Sequence, residues 1–220
     1  MEGNHKRHER GERVKNSKVF CIGLQKTGTS SMRDALQQLG YRVAGVYGRD
    51  KSLEELRQTY VEDGIALARQ YDSVEDMPWP LIFRELDAAY PGSKFILTVR
   101  ETDRWYKSIA GHFGANPYHL QQLTYGDDAP APVGHEARYR EVFEAHNAAV
   151  RAHFSERPDD LLIMELEKGD GWSKMGAFLG VPVPDGPFVR TNTSGQRRTL
   201  FNRVRSRLKR IGVPVGTMDG

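Results

Sequence analysis

Apolar positions in this chain come as short unbroken runs, set apart by longer stretches in which they recur every three or four residues. Val19-Phe-Cys-Ile-Gly-Leu24, Lys94-Phe-Ile-Leu-Thr-Val-Arg100 and Leu161-Leu-Ile-Met-Glu165 are the runs. Each reads as a buried strand of a parallel sheet, because strands covered on both faces lose the alternation of half-exposed ones. Tyr41 to Val46 reads as a further short strand. Met32, Ala35, Leu36 and Leu39 follow the first run at helical spacing, with Gly40 as a C-terminal cap. Leu53, Leu56, Tyr60, Ile65, Leu67 and Ala68 predict helix, as do 81 to 90, 103 to 113, 136 to 154 and Trp172 to Leu179. Two segments read as loops: Asp72 to Pro80, marked by its prolines, and 114 to 134, rich in Gly and Pro. The alternation of strand and helix predicts an α/β fold, with a central, mainly parallel sheet in a three-layer α/β/α arrangement and right-handed crossovers.

The first strand empties into Gly23-Leu-Gln-Lys-Thr-Gly-Thr-Ser-Ser31. Two glycines five residues apart match the phosphate loop G-x-x-x-x-G-K-[ST], yet Thr29 stands where that pattern has its lysine. The cation sits inside the loop instead, as Lys26. Gly28 lets the backbone approach an anion closely, and the N–H groups of Thr27 to Ser31 open the following helix at its positive dipole end. The hydroxyls of Thr29, Ser30 and Ser31 add donors. In parallel sheets ligands collect beyond the carboxyl ends of the strands. Lys26 and Arg100 both lie at that edge, with Ser108 two helical turns further on, an arrangement suited to a ligand with two separated anionic groups.

The chain has 220 residues, 38% hydrophobic and 28% charged, enough for one core and one domain spanning about 17 to 220. Residues 1 to 16 are almost wholly polar and read as a disordered tail. Leu200, Val204, Leu208 and Ile211 share a face among arginines, giving a basic amphipathic helix near the C-terminus. A net charge of +3 suits an anionic ligand without implying nucleic acid. Cys21, the single cysteine, excludes an intrachain disulfide and reads as a buried small hydrophobe. With no apolar stretch long enough to span a bilayer and no signal-peptide core, the expectation is a soluble cytoplasmic protein; a homodimer is compatible with the sequence.

With these residues in view, the chain resembles the sulfotransferases that use 3′-phosphoadenosine 5′-phosphosulfate, in particular the bacterial-type branch related to the P-loop NTPase fold. Gln25-Lys-Thr-Gly-Thr-Ser-Ser31 looks like that family's 5′-phosphosulfate loop, and Val99-Arg100 followed by Trp105 and Ser108 looks like its 3′-phosphate site. Asp76-Met-Pro78, Gly171-Trp172 and Phe178-Leu-Gly180 add support, so the likeness runs from Val19 to Asn192. The resemblance implies a doubly phosphorylated sulfate donor as co-substrate, no metal, and a small-molecule acceptor. It implies that Lys26 binds the bridging oxygen and that Gln25, Thr27, Gly28, Thr29, Ser30 and Ser31 line the 5′ site. Arg100 and Ser108 would hold the 3′-phosphate, with Arg197 and Arg198 as further contributors.

Sulfuryl transfer to a hydroxyl or amine needs a general base. Asp76 is the first choice, against a plain reading as a helix N-cap. Asp72 and Glu101 are alternatives, and His146-Asn147 is a further pair whose plain reading is helix packing. Two rival functions remain at this level. A kinase or NTPase of related fold would want a lysine at position 29 and a magnesium-binding acid, and a non-catalytic binding protein would keep the fold without turnover.

Overall fold

The structure is a computed structural model, and it describes residues 17–191. The apolar run after Lys18 becomes β1 (Val19–Cys21), buried along its length and central because no polar side chain interrupts it. It is followed by α1 (Thr29–Gln38), β2 (Val43–Ala44), α2 (Leu53–Ala68), β3 (Ser73–Val74), α3 (Phe83–Ala89) and β4 (Lys94–Thr98). The chain continues through α4 (Thr102–Phe113), α5 (His119–Tyr125), α6 (Glu136–His153), β5 (Leu161–Met164) and α7 (Trp172–Leu179). The strands form one parallel sheet in the order β2-β3-β1-β4-β5. Val19 pairs with Ser73 on one side and Lys94 on the other.

Successive residues of a strand face opposite sides of the sheet, and two cores result. Val19, Cys21, Ile96, Leu162 and Met164 pack against Met32, Ala35 and Leu36 of α1 and Met175 of α7. Phe20, Ile22, Val74, Phe95 and Leu97 pack against Phe83 and Leu86 of α3 and Val150 and Phe154 from α6 and its end. This is the three-layer α/β/α arrangement. Cys21 lies in the first core, where burial pushes its thiol far above the usual range and leaves it inert as a nucleophile. A third cluster, with Leu24, Leu56, Met77, Trp105, Tyr125, Tyr139 and Phe143, gathers α2, α4, α5 and α6 beside the carboxyl edge of the sheet. Stacked pairs stiffen it, Trp105 on Phe143 at 4.0 Å and Tyr125 on Tyr139 at 3.7 Å.

The connection leaving β1 runs toward β2 while that leaving β4 runs toward β5. The two neighbours thus diverge, and a crevice opens past their carboxyl ends. Gly23 permits their close approach, since a Cβ there would lie 2.0 Å from Thr98 Oγ1 and 2.6 Å from the Thr98 carbonyl oxygen.

Three expectations need correction, and two lie outside the described residues. The segment Asp72 to Pro80 is not only loop: Ser73 and Val74 form β3, inserted between β1 and β2. Two paired residues flanked by acids are too short for any periodicity to register. The loop 114–134 contains α5, seven residues anchored by buried Leu120 and Tyr125 among the turn-forming glycines and prolines. The helix expected from Leu81 begins as a 3-10 turn (Trp79–Ile82) before α3, since Pro80 has no N–H to give. The polar tail and the basic C-terminal helix lie outside the described residues.

Candidate active site

Five segments reach the same edge of the sheet: the loop after β1, Gly45 to Asp50 after β2, Glu75-Asp76 after β3, Val99-Arg100 after β4 and Glu165 to Lys168 after β5. The β1 loop is held from several sides. Thr27 Oγ1 donates to the Leu24 carbonyl at 2.6 Å and shares a 2.6 Å hydrogen bond with Thr98 Oγ1. Trp105 Nε1 donates to the Gln25 carbonyl at 2.8 Å, and Gln121 Nε2 donates to Gln25 Oε1 at 2.9 Å. Gln25 therefore turns its side-chain oxygen into the helical cluster and acts as an anchor. A buried polar group takes the partner that offers satisfaction.

Lys26 has φ 70°. Left-handed backbone is uncommon for a side chain with a Cβ and carries local strain. Gly28 follows with φ 115°, where a Cβ would lie 2.5 Å from Leu166 Cδ1. It caps α1 without a side-chain hydrogen bond, and no acid stands in the first turn of that helix. An uncapped, acid-free helix start is the arrangement that binds anions.

The three hydroxyls beyond the loop differ in what they do. Thr29 is buried near the carboxylate of Glu75 and favours its charged form, though neither Glu75 oxygen receives an aligned hydrogen bond. Ser31 is buried and accepts from the Thr191 backbone N–H at 3.0 Å, while Thr191 Oγ1 bonds Asp34. Ser30 is half-buried on the first turn.

Arg100 joins this loop directly, its Nη1 donating to the Lys26 carbonyl at 3.3 Å. Its Nη2 forms an ion pair with Glu167, which Arg104 Nη1 also approaches at 3.6 Å. Ser108 stands four residues after Arg104 on α4, hence one turn above it on the same helix face.

Asp76 also has φ 70°, and its Oδ1 accepts from its neighbour Met77 N–H at 2.9 Å. The helical turn downstream is capped at Pro78, so Asp76 is not a helix N-cap. Burial raises its pKa, against the Met77 N–H and the positive charges of Arg33, Arg49 and Lys26. Burial raises the Tyr118 pKa against the charge of nearby Arg49, and the Asp76 charge raises it further, so the start of α5 and the loop after β2 lie near the same acid. His119 Nε2 lies 3.0 Å from the Gly48 carbonyl and ties those two segments together.

The other acids and histidines named from the sequence do not converge here. Asp72 sits at the opposite, amino end of β3, taking the Arg42 backbone N–H at 2.8 Å. Glu101 caps α4 by accepting from Asp103 and Arg104 N–H groups at 2.8 and 3.0 Å. His146 is half-buried, its ring Nε2 hydrogen-bonded to the Ile22 carbonyl at 2.7 Å and its pKa lowered chiefly by burial, and it packs edge-on against Phe83. Arg197 and Arg198 lie outside the described residues.

Glu75 escaped the sequence reading. Glu75 is fully buried, and its pKa is raised to about 8, first by burial and then by the charge of Asp76. Arg33 Nε stands 2.9 Å from Glu75 Oε1, but its N–H is not aimed along that line, so neither carboxylate oxygen receives an aligned bond from it. The signal that would have found it is its position one residue past a strand end, which depended on recognising β3.

Two comparisons bear on this site. The sequence profile of the family described as "Sulfotransferase domain" matches residues 18–126 and 117–197. The "Ava biosynthesis cluster protein M" of Aspergillus versicolor is 27% identical over 247 aligned residues, which take in 90% of this chain and 92% of that protein.

Proposed function

The chain belongs to the sulfotransferase domain family, and on that premise we propose that it moves a sulfuryl group from 3′-phosphoadenosine 5′-phosphosulfate to a hydroxyl or amine of a small molecule. The observation that carries this reading is the bond from Arg100 Nη1 to the Lys26 backbone carbonyl at 3.3 Å, which holds the guanidinium at the end of β4 against the loop that carries Lys26, where β1 and β4 diverge. A donor with a 5′-phosphosulfate and a 3′-phosphate has two anionic ends to fill such a pair of sites.

The fit is supported by residues that no core packing explains. Arg100 Nε is buried without a hydrogen-bond partner, and the start of α1 has neither an acid nor a side-chain cap. Loop N–H groups and the Ser30 hydroxyl receive the 5′-phosphate, and Arg100 with Ser108 receives the 3′-phosphate. The position that a nucleoside triphosphatase gives to its lysine is here Thr29, a neutral hydroxyl buried near the Glu75 carboxylate. This favours the sulfate donor over a nucleoside triphosphate.

For the transfer, Asp76 takes the proton of the acceptor hydroxyl as its oxygen bonds to sulfur. The bond from sulfur to the bridging oxygen breaks, and Lys26 stabilises the charge left on the 5′-phosphate. Positioning and fixed charge lower the barrier of such a loose transition state. The raised pKa of Asp76 makes it a better base than an exposed aspartate once ionised. Tyr118 and Arg49, from α5 and the loop after β2, border the acceptor side of this acid.

The test is to incubate the enzyme with the donor and a panel of phenols, alcohols and amines, reading sulfated product and released nucleotide by mass spectrometry. A product formed by the wild type and lost in Lys26→Ala supports the reading. Equal product from both removes Lys26 from the reaction.

A further inference from the structure

Arg100 and Arg104 share a single acid. Glu167 puts Oε1 on Arg100 Nη2 and Oε2 3.6 Å from Arg104 Nη1, so its two oxygens span two guanidinium groups as two oxygens of a phosphate would. The two sides of this contact are held unequally. Arg100 is anchored: its side chain is 21% exposed, Nη1 is tied to the Lys26 carbonyl, and buried Nε has no partner. Glu167 is 37% exposed on a three-residue 3-10 turn (Leu166–Lys168) that ends at Gly169, whose φ is 99°. A glutamate there reaches solvent by rotating its own side chain, whereas Arg100 has no such exit.

We propose that Arg100 and Arg104 form one anion site plugged in the free enzyme by Glu167, and that the donor's 3′-phosphate enters by displacing that carboxylate. The inference rests on the donor reading given above. It adds Arg104 as a second cation for the 3′-phosphate and makes Glu167 a competitor that selects for a dianion. A phosphate brings more charge and a third oxygen, so it outcompetes a carboxylate on two guanidinium groups. A ligand that lacks the 3′-phosphate leaves the plug in place. Arg190 Nη2, which donates to the Leu166 carbonyl at 3.0 Å, steadies the turn from which Glu167 swings.

The experiment is calorimetric titration of the full chain with 3′-phosphoadenosine 5′-phosphate and, in parallel, adenosine 5′-phosphate. The wild type is compared with Glu167→Gln and Arg104→Gln. Removing the plug frees the binding-competent state, so Glu167→Gln should bind the bisphosphate about tenfold more tightly, with adenosine 5′-phosphate unchanged. Arg104→Gln should weaken the bisphosphate alone. Equal affinity for the bisphosphate in wild type and Glu167→Gln overturns the proposal. So does equal tightening of both nucleotides, which marks a general charge effect. Failure of every form to bind the bisphosphate contradicts the donor reading itself, whereas wild-type binding that Glu167→Gln leaves unaltered contradicts the plug alone.

Discussion

Lys26 and Asp76 are the two non-glycine residues with left-handed backbone among the described residues, each with φ 70°. They follow adjacent strands, β1 and β3, and the positive charge of Lys26 works against the burial that raises the Asp76 pKa. Strained backbone persists only where its surroundings enforce it, and such residues concentrate at functional sites. Here it is found at the cation and the acid to which transfer chemistry is assigned.

Lys26→Ala should lower transfer by about 10²- to 10³-fold, the range seen when one preorganised donor to a developing charge is lost. The unfolding midpoint should stay near that of the wild type, because Ala retains the same backbone demand. Rate and thermal melt measured on one preparation check both halves. Full activity would contradict the role.

Asp76→Asn should reduce the rate by about 10²- to 10⁴-fold while preserving donor binding. Asn tolerates φ near 70°, so the turn survives and the loss reports on the carboxylate. In the wild type, the acid limb of the pH–rate profile should lie above the ordinary aspartate range, since burial raises this pKa. A profile flat through that region would point to another base.

Glu75 should make the protein less stable as pH rises. Its pKa goes from 4.5 to about 8 on folding, so across that interval the folded state keeps a proton that the unfolded chain releases. Stability then falls with increasing pH over the interval and levels off above it. Asp76 shifts in the same direction, so Glu75→Gln should flatten the slope without removing all of it. Urea midpoints at pH 5, 6.5 and 8 give the comparison; an unchanged slope in the variant would contradict this account of Glu75.

Gly28→Ala should weaken both the loop and the fold, because it needs φ 115° and its Cβ would meet Leu166 Cδ1 at 2.5 Å. Overpacking of this kind costs about 1–3 kcal/mol. Gly23→Ala should be worse, since its Cβ would meet the Thr98 backbone at 2.6 and 2.9 Å and backbone cannot rotate away. Denaturation midpoints ranking wild type above Gly28→Ala above Gly23→Ala would agree with these contacts. The reverse order would not.

The long elements and the loop after β1 were legible because their signal is local. An apolar run, two glycines at fixed spacing and a helix cap all sit within a few residues. β3 was not legible, since Ser73 and Val74 owe their strand conformation to β1 and β2 on either side and have no pattern of their own. With β3 went Glu75. The anchoring of the Gln25 side-chain oxygen by Gln121, 96 residues away, was not legible either, since no local rule reveals it. His146 was a further candidate whose plain reading was helix packing, and the partner that fixes its ring, the Ile22 carbonyl 124 residues away, had no local signal. Asp76 was legible as an acid beside the Pro78 turn, while its burial and left-handed backbone show only in three dimensions.

The most direct test of the central claim is binding of 3′-phosphoadenosine 5′-phosphate, with and without magnesium, against ATP under both conditions. The account predicts that the bisphosphate binds equally well when magnesium is chelated, more tightly than ATP, and that Arg100→Ala weakens it. A magnesium-dependent preference for ATP would contradict the assignment of a sulfate donor to this site.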